Sequence, residues 1–221
     1  PRKVLVVLQF AVSVTLIIGT IIVFRQVQFT KNRPIGYERT GLVQIDMRTD
    51  EIHKHFEAVR NDLLKSGAII EIAESGSPLT AVYSNNSGLN WRGKPAGLQD
   101  DFATITLSPE FGKVAQWKLI EGRDFERSNA GDSSSMIVNE TAARFMNFKH
   151  AVGETIDWGK KFKIIGVVKD MVMSSPYEPV KSSIFVLDND PGGLVDIRLN
   201  PKMSAHDAIA KIESVFKQYA P

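Results

Sequence analysis

Val4 to Phe24 reads VLVVLQFAVSVTLIIGTIIVF, a stretch without a charge or a proline. As a helix rising ~1.5 Å per residue it is ~31 Å long, the thickness of a bilayer's hydrocarbon core. Arg2 and Lys3 stand before it and Arg25 after it. A buried helix in a soluble domain rarely runs this far without a charge, so the stretch predicts a transmembrane helix. A cleaved signal peptide would have an apolar core of only ~7–15 residues and a small-residue cleavage site. Here the run is longer, and Arg25, Gln26, Val27, Gln28 and Phe29 follow it. The expectation is an anchor that stays in the protein.

The anchor carries a pattern. Gln9, Ser13 and Thr20 fall within a narrow arc at ~100° per residue, while Ala11, Thr15 and Gly19 recur every fourth residue on another face. In lipid, small residues let helix backbones approach, and polar side chains bond across the interface. A lone anchor with incidental Ser and Thr is the competing reading; Gln9 favours packing. Gln9, Ala11, Thr15 and Gly19 are therefore the expected helix-packing residues. Arg25 to Arg33 is expected to continue the helix as a short stalk, stopped by Pro34 and Gly36.

The remaining ~190 residues suit one large domain or two lobes. A hydrophobic content of 43% is enough for a packed core. The net charge is +2, without a basic stripe, which argues against nucleic acid as a partner. The chain has no Cys, so neither a disulfide framework nor thiol chemistry is available to it. It begins at Pro1 rather than Met, which reads as an excerpt of a longer protein. Arg2 and Lys3 favour an N-terminus inside, against Arg25, Lys31 and Arg33 on the other flank. A long domain crosses largely regardless of its charge, so residues 34–221 are expected outside the cytoplasm.

Along that domain, alternation predicts strands at 41–47, 68–73, 101–107, 135–139, 183–187 and 195–199, and a hairpin of 155–158 with 162–168 turning at Gly159-Lys160. Helical spacing predicts helices at 51–66, 108–117, 140–146 and 204–219. Ser108 is the expected cap of the second of these, and Ile209, Ile212, Val215 and Phe216 form the inward face of the last. The order implies an α+β fold of two lobes. A split β-α-β lobe would take residues 34–125 and 190–221, and an inserted β-rich lobe residues 126–189. Trp117 and Phe125 flank the crossing and are the expected lobe-interface residues.

Nothing in the sequence assembles a catalytic, cofactor or metal site. His53 and His55 are spaced i, i+2 on a helix and do not face one another, so they are poor joint ligands and read as surface residues. Asp188, Asn189 and Asp190 start like a calcium loop, but Pro191 and the missing twelfth-position Glu make them a turn. Ser133, Ser134 and Ser135 lack a G-x-S-x-G elbow, and no phosphate-binding glycine loop is present. Trp91, Trp117 and Trp158 read as core or interface residues.

Several segments resemble one family. They are PRKVLVVLQFAVSVTLIIGTIIVFRQ at 1–26, EGRDF at 121–125, IVNETAARF at 137–145, GETIDW at 153–158 and IIGVVKD at 164–170. In this order they are similar to the MacB-type, FtsX-like permeases of ABC transporters. YEPV at 177–180 resembles the versions with duplicated halves common in Bacteroidetes. The resemblance implies a two-lobed periplasmic domain following the first membrane helix of a permease half, in a bacterial inner membrane. It implies a cytoplasmic ABC ATPase subunit and a second permease half or copy as partners, with membrane lipid around the helix and a periplasmic adaptor or substrate beyond. It carries over no catalytic residue and no cofactor. The chain departs from a full permease by ending at Pro221, before further helices. The function expected is coupling of ATP hydrolysis on a partner to export or mechanical work outside the membrane. The alternative is a membrane-anchored ligand-sensing domain of a signalling receptor, and an extracellular hydrolase stands third.

Overall fold

The computed structural model describes residues 2–32, 35–175 and 177–220. Helix α1, Arg2–Asn32, takes in the whole apolar stretch and the stalk as one element. Its side chains from Arg2 to Val27 are exposed, and Arg2–Gln28 is long and apolar enough to cross a membrane. Pro34, expected to stop the helix, lies outside the described residues, as does Pro176 in the turn before YEPV. Contacts divide the chain into two units. One holds α1 with residues 175–179, and the other holds residues 35–174 with the chain from 180 onward.

In the second unit the elements run in this order: β1 Leu42–Asp46, α2 Glu51–Lys54, α3 Phe56–Lys65, β2 Ile69–Ser75, β3 Asn85–Asn86, β4 Asn90–Trp91, β5 Phe102–Leu107 and α4 Phe111–Ala115. After these come β6 Leu119–Gly122, a 3-10 turn at Ala130–Ser134, β7 Ser135–Asn139, α5 Glu140–Phe145, β8 Thr155–Trp158, β9 Lys160–Val168, β10 Ser183–Leu187, β11 Leu194–Leu199 and α6 Ala205–Tyr219. The strands form one sheet in the order β1-β11-β2-β5-β10-β7-β9-β8-β4, with β3 beside β5 and β6 beside β9. This is the mixed α+β architecture that the alternation implied.

The first half of the sheet is a split β-α-β arrangement. β1 and β2 are each antiparallel to β11, which lies between them, so the crossover through α2 and α3 leaves room for the last strand. The apolar faces of α3 and α6 close one side of it over Ile72, Val195 and Ile197. In the second half β5 runs parallel to β10, and β7 parallel to β9. Between β2 and β5 the sheet narrows to one paired position, Ser75 with Leu107. β4 and most of β5 pair instead with strands from within residues 126–189.

Several local expectations need correction. The helix expected over 51–66 breaks at His55, whose backbone leaves the helical region at φ −111, ψ 16. Ser108 does not cap α4. Its hydroxyl accepts from the Glu74 backbone N–H at 3.0 Å and ties β2 to the loop before α4 instead. Ile209 is exposed, and Ala208 takes the inward position with Ile212 and Val215. His53 is not a free surface histidine, because its Nδ1 lies 3.0 Å from Glu74 Oε1. The 155–168 hairpin closes as expected, at Gly159 with φ +68.

Candidate functional site

Among the described residues, three of the regions where polar or aromatic groups meet bear on a candidate site. The first is the junction around α4. Trp117 and Phe125 are both buried, in a core that mixes residues of the 34–125 stretch with Ile137, Ile165, Val168, Met171, Met173 and Phe185. The Trp117 ring meets Phe185 at 5.1 Å between centroids and Phe111 at 5.6 Å, both edge-on, the preferred aromatic geometry. Its Nε1 donates to Asp124 Oδ2 at 3.0 Å. Burial raises the Asp124 carboxyl above its ordinary pKa, with the Phe125 amide and the indole N–H pulling the other way. A side chain at Gly112 would collide with both Asp124 and the Trp117 indole, so glycine is required there.

The second region is a polar cleft of about 570 Å³, lined among others by His53, Glu57, Glu74, Arg127, Lys160 and Asp188. Arg127 spans it, donating through Nε and Nη2 to the two oxygens of buried Glu110 and through Nη1 to Glu57. Burial alone would raise Glu110, but the guanidinium wins and holds it below its ordinary value. His53 is raised, chiefly by its bond to Glu74, and Glu74 is raised by burial. The nearby hydroxyls are bonded to main chain: Ser108 to the Glu74 amide and Ser133 to the Ala130 carbonyl. No serine is thus activated by the histidine among the described residues, and no group of three or more His, Asp or Glu there is arranged to hold a metal. The cleft is a network of ion pairs rather than a nucleophile with its base.

The third region is strand β11, buried on both faces. Asp196 accepts from Ser75 Oγ at 2.6 Å and from Gln44 Nε2 at 2.9 Å. Burial pushes its pKa up to about 6. Two residues on, Arg198 is 2% exposed and donates to backbone carbonyls of Glu38, Thr40 and Val114. Sequence reading missed both, because polar residues alternating in VDIRL look like a solvent face.

The four residues expected to pack in the membrane lie exposed along α1. The Thr15 hydroxyl donates to the Ala11 carbonyl at 2.9 Å, one turn back, and a methyl group built on Gly19 would meet nothing within 4 Å.

Comparison with known proteins fixes the family. The family described as MacB-like periplasmic core domain matches residues 4–215. No curated protein matches the chain. Among solved structures, the periplasmic region of MacB from Actinobacillus actinomycetemcomitans is similar at 14% identity and a TM-score of 0.55, over 86% of this chain and 88% of that one. The extracellular domain of the noncanonic ABC-type transporter YknZ from Gram-positive bacteria is similar at 15% identity and a TM-score of 0.53, over 80% and 92%. At these identities the two structures speak to fold alone, and the fold is the α+β architecture described above. The match along nearly the whole chain settles the assignment: this chain belongs to the MacB-like periplasmic core domain family, found in permeases of ABC-type transporters.

Proposed function

We propose that this domain and its helix couple ATP hydrolysis on a cytoplasmic ABC ATPase to export or mechanical work outside a bacterial inner membrane. The observation that carries the reading is the family match from residue 4 to 215, which takes in the apolar helix and the domain as one unit of sequence. Three features support it. Among the described residues the cleft holds ion pairs, and the family is one of transporter permease domains, so the reading places the energy source on a partner. The exposed helix offers a small-residue face, Ala11, Thr15 and Gly19, with Gln9 nearby, for a second permease half or copy in lipid. The sheet narrows at Ser75–Leu107, and Trp117 and Phe125 lie in the core that spans this narrowing. In this reading two lobes, joined there, move as nearly rigid bodies when the ATPase closes. A periplasmic adaptor or substrate would be met by the domain. The ligand-sensing alternative draws no support from the family assignment.

The test is reconstitution of the full permease with its ATPase in lipid, with a label on the domain reporting its distance to the second half or copy. ATP should change that distance. A domain that stays in place through the ATPase cycle refutes coupling.

A further inference from the structure

Arg198 has an unusual environment. A buried guanidinium ordinarily faces a carboxylate, since an unpaired charge is costly to remove from water. Here, among the described residues, the hydrogen-bond partners of Arg198 are main-chain carbonyls drawn from three places, and the Glu38 carboxylate acts on it only electrostatically. Nη2 donates to Glu38 at 2.7 Å, Nη1 to Thr40 at 2.5 Å and Nε to Val114 at 2.8 Å. Glu38 and Thr40 belong to the irregular segment 35–41, through which the chain enters the domain after α1. Val114 is in the last turn of α4, where helix carbonyls lack intrahelical partners and favour a cation. Arg198 itself stands on β11, hydrogen-bonded by β1 on one side and β2 on the other.

We propose that Arg198 is the anchor through which a pull on α1 reaches the sheet, a role that rests on the coupling reading above. The entering segment is laid against the domain at successive points. Ile35 accepts from the Val172 amide at 2.9 Å, and Tyr37 packs against the α4 core. A side chain at Gly36 would strike the Asp170 carbonyl, so the segment lies flush there. The Glu38 amide donates to Ala115 at 3.1 Å, and Gly41 accepts from the Leu199 amide at 2.8 Å. Singly, such bonds would yield one after another. Arg198 ties the segment, the end of α4 and β11 into one knot with a single planar guanidinium. Load then spreads along the two ladders of β11, and through α4 to Trp117 just beyond it. Only a guanidinium suits this position, because its planar fork presents five donors while an ammonium is a point charge with three.

The experiment uses the full permease with its ATPase in lipid nanodiscs, spin-labelled at Tyr83→Cys, a 66% exposed site. Wild type, Arg198→Met and Arg198→Lys are compared for ATPase rate, for the ATP-driven change in label distance and for hydrogen exchange. Arg198→Met is expected to keep the ATPase rate and lose the distance change. Exchange should rise about tenfold or more at the Glu38 and Leu199 amides and stay unchanged in β7 and β10. A full distance change in Arg198→Met, or unaltered exchange at Glu38, overturns the anchor. If Arg198→Met exchanges everywhere because it does not fold, Arg198→Lys decides. It should show a reduced distance change with local exchange at Glu38, and wild-type values for both overturn the proposal. A wild type whose distance never responds to ATP removes the coupling reading and the anchor with it, which distinguishes that failure from failure at Arg198 alone.

Discussion

Asp196 shows what a buried charge does to this domain. Its pKa of about 6, against an ordinary 3.8, means that the folded state holds the proton more tightly than the unfolded chain. Stability from this group is therefore complete below about pH 4, falls as pH rises from there to about 6, and stays lower above it. A tenfold change in proton affinity corresponds to about 1.4 kcal/mol, so the carboxylate costs about 3 kcal/mol at neutral pH. Asp196→Asn removes the charge and keeps the shape, and the Ser75 hydroxyl can still donate to the amide oxygen. Thermal melts should show the variant more stable than wild type at pH 7.5, by several degrees, and no better at pH 4. An equal difference at both pH values would show that the carboxylate is not the cause. Trp117 is the contrasting residue, apolar except for one bond. Trp117→Ala removes the contacts to Phe185 and Phe111 and strips Asp124 of a donor. Truncating a buried aromatic costs ~3–5 kcal/mol. For a domain of this size the melting temperature should drop by about 10 °C, at ~2–4 °C per kcal/mol. A double-mutant cycle with Phe185→Ala should give a coupling above ~0.5 kcal/mol. An unchanged melt would place Trp117 outside the join.

The elements divide into those with a visible period and those without. β2, β5, β7, β10 and β11 are apolar enough on their core faces, and α3 and α6 regular enough at helical spacing, to be legible from residues alone. β3 and β4 have two residues each, too few to show a period. β6 is a short strand beside β9 whose adjacent Leu119 and Ile120 are both exposed, so it shows no alternation to read. The break at His55 follows no glycine or proline and left no mark in the sequence. Asp196 and Arg198 were hidden for a better reason. Alternation assigns polar residues to solvent, but β11 is covered on both faces, so its polar residues are buried with its apolar ones. At the candidate site, Trp117 and Phe125 were legible as large apolar groups that a core takes in, whereas the Arg127 network depends on residues 57, 110 and 127, which only folding brings together. Helix α1 was the plainest element, and its prediction belongs here. Gly19→Leu puts a bulky group on the Ala11–Thr15–Gly19 face. Assembly of the full permease in membranes should weaken by about 1 kcal/mol or more, read as less permease recovered in a cross-linked complex. The melt of the domain should not move. Unchanged assembly would make the spacing incidental.

For the whole molecule, the question is where the energy for motion enters. Residues 35–220 present ion-paired clefts and packed cores, and the chain has neither a phosphate-cradling glycine loop nor a basic cluster for a triphosphate. In the coupling reading proposed above, work on the domain arrives through the helix and the segment that follows it. A ligand or partner shifts a two-state equilibrium only by its differential affinity for the two states, and moving one from 1:99 to 99:1 takes ~5.5 kcal/mol. A covalent tether across the moving parts has far more to oppose such a shift than any single contact. The excised domain is expected to fold as a soluble unit and to bind no ATP, checked by calorimetry on the purified protein. In the full assembly, a cysteine cross-link pinning the domain to its second copy is easy to place, since the chain has no cysteine of its own to compete. That cross-link should abolish ATP-driven work while nucleotide still binds the ATPase at wild-type affinity, and reducing it should restore the work. Transport undiminished with the cross-link closed would show that the domains need not move, and measurable ATP binding by the domain alone would return the chain to the enzymes.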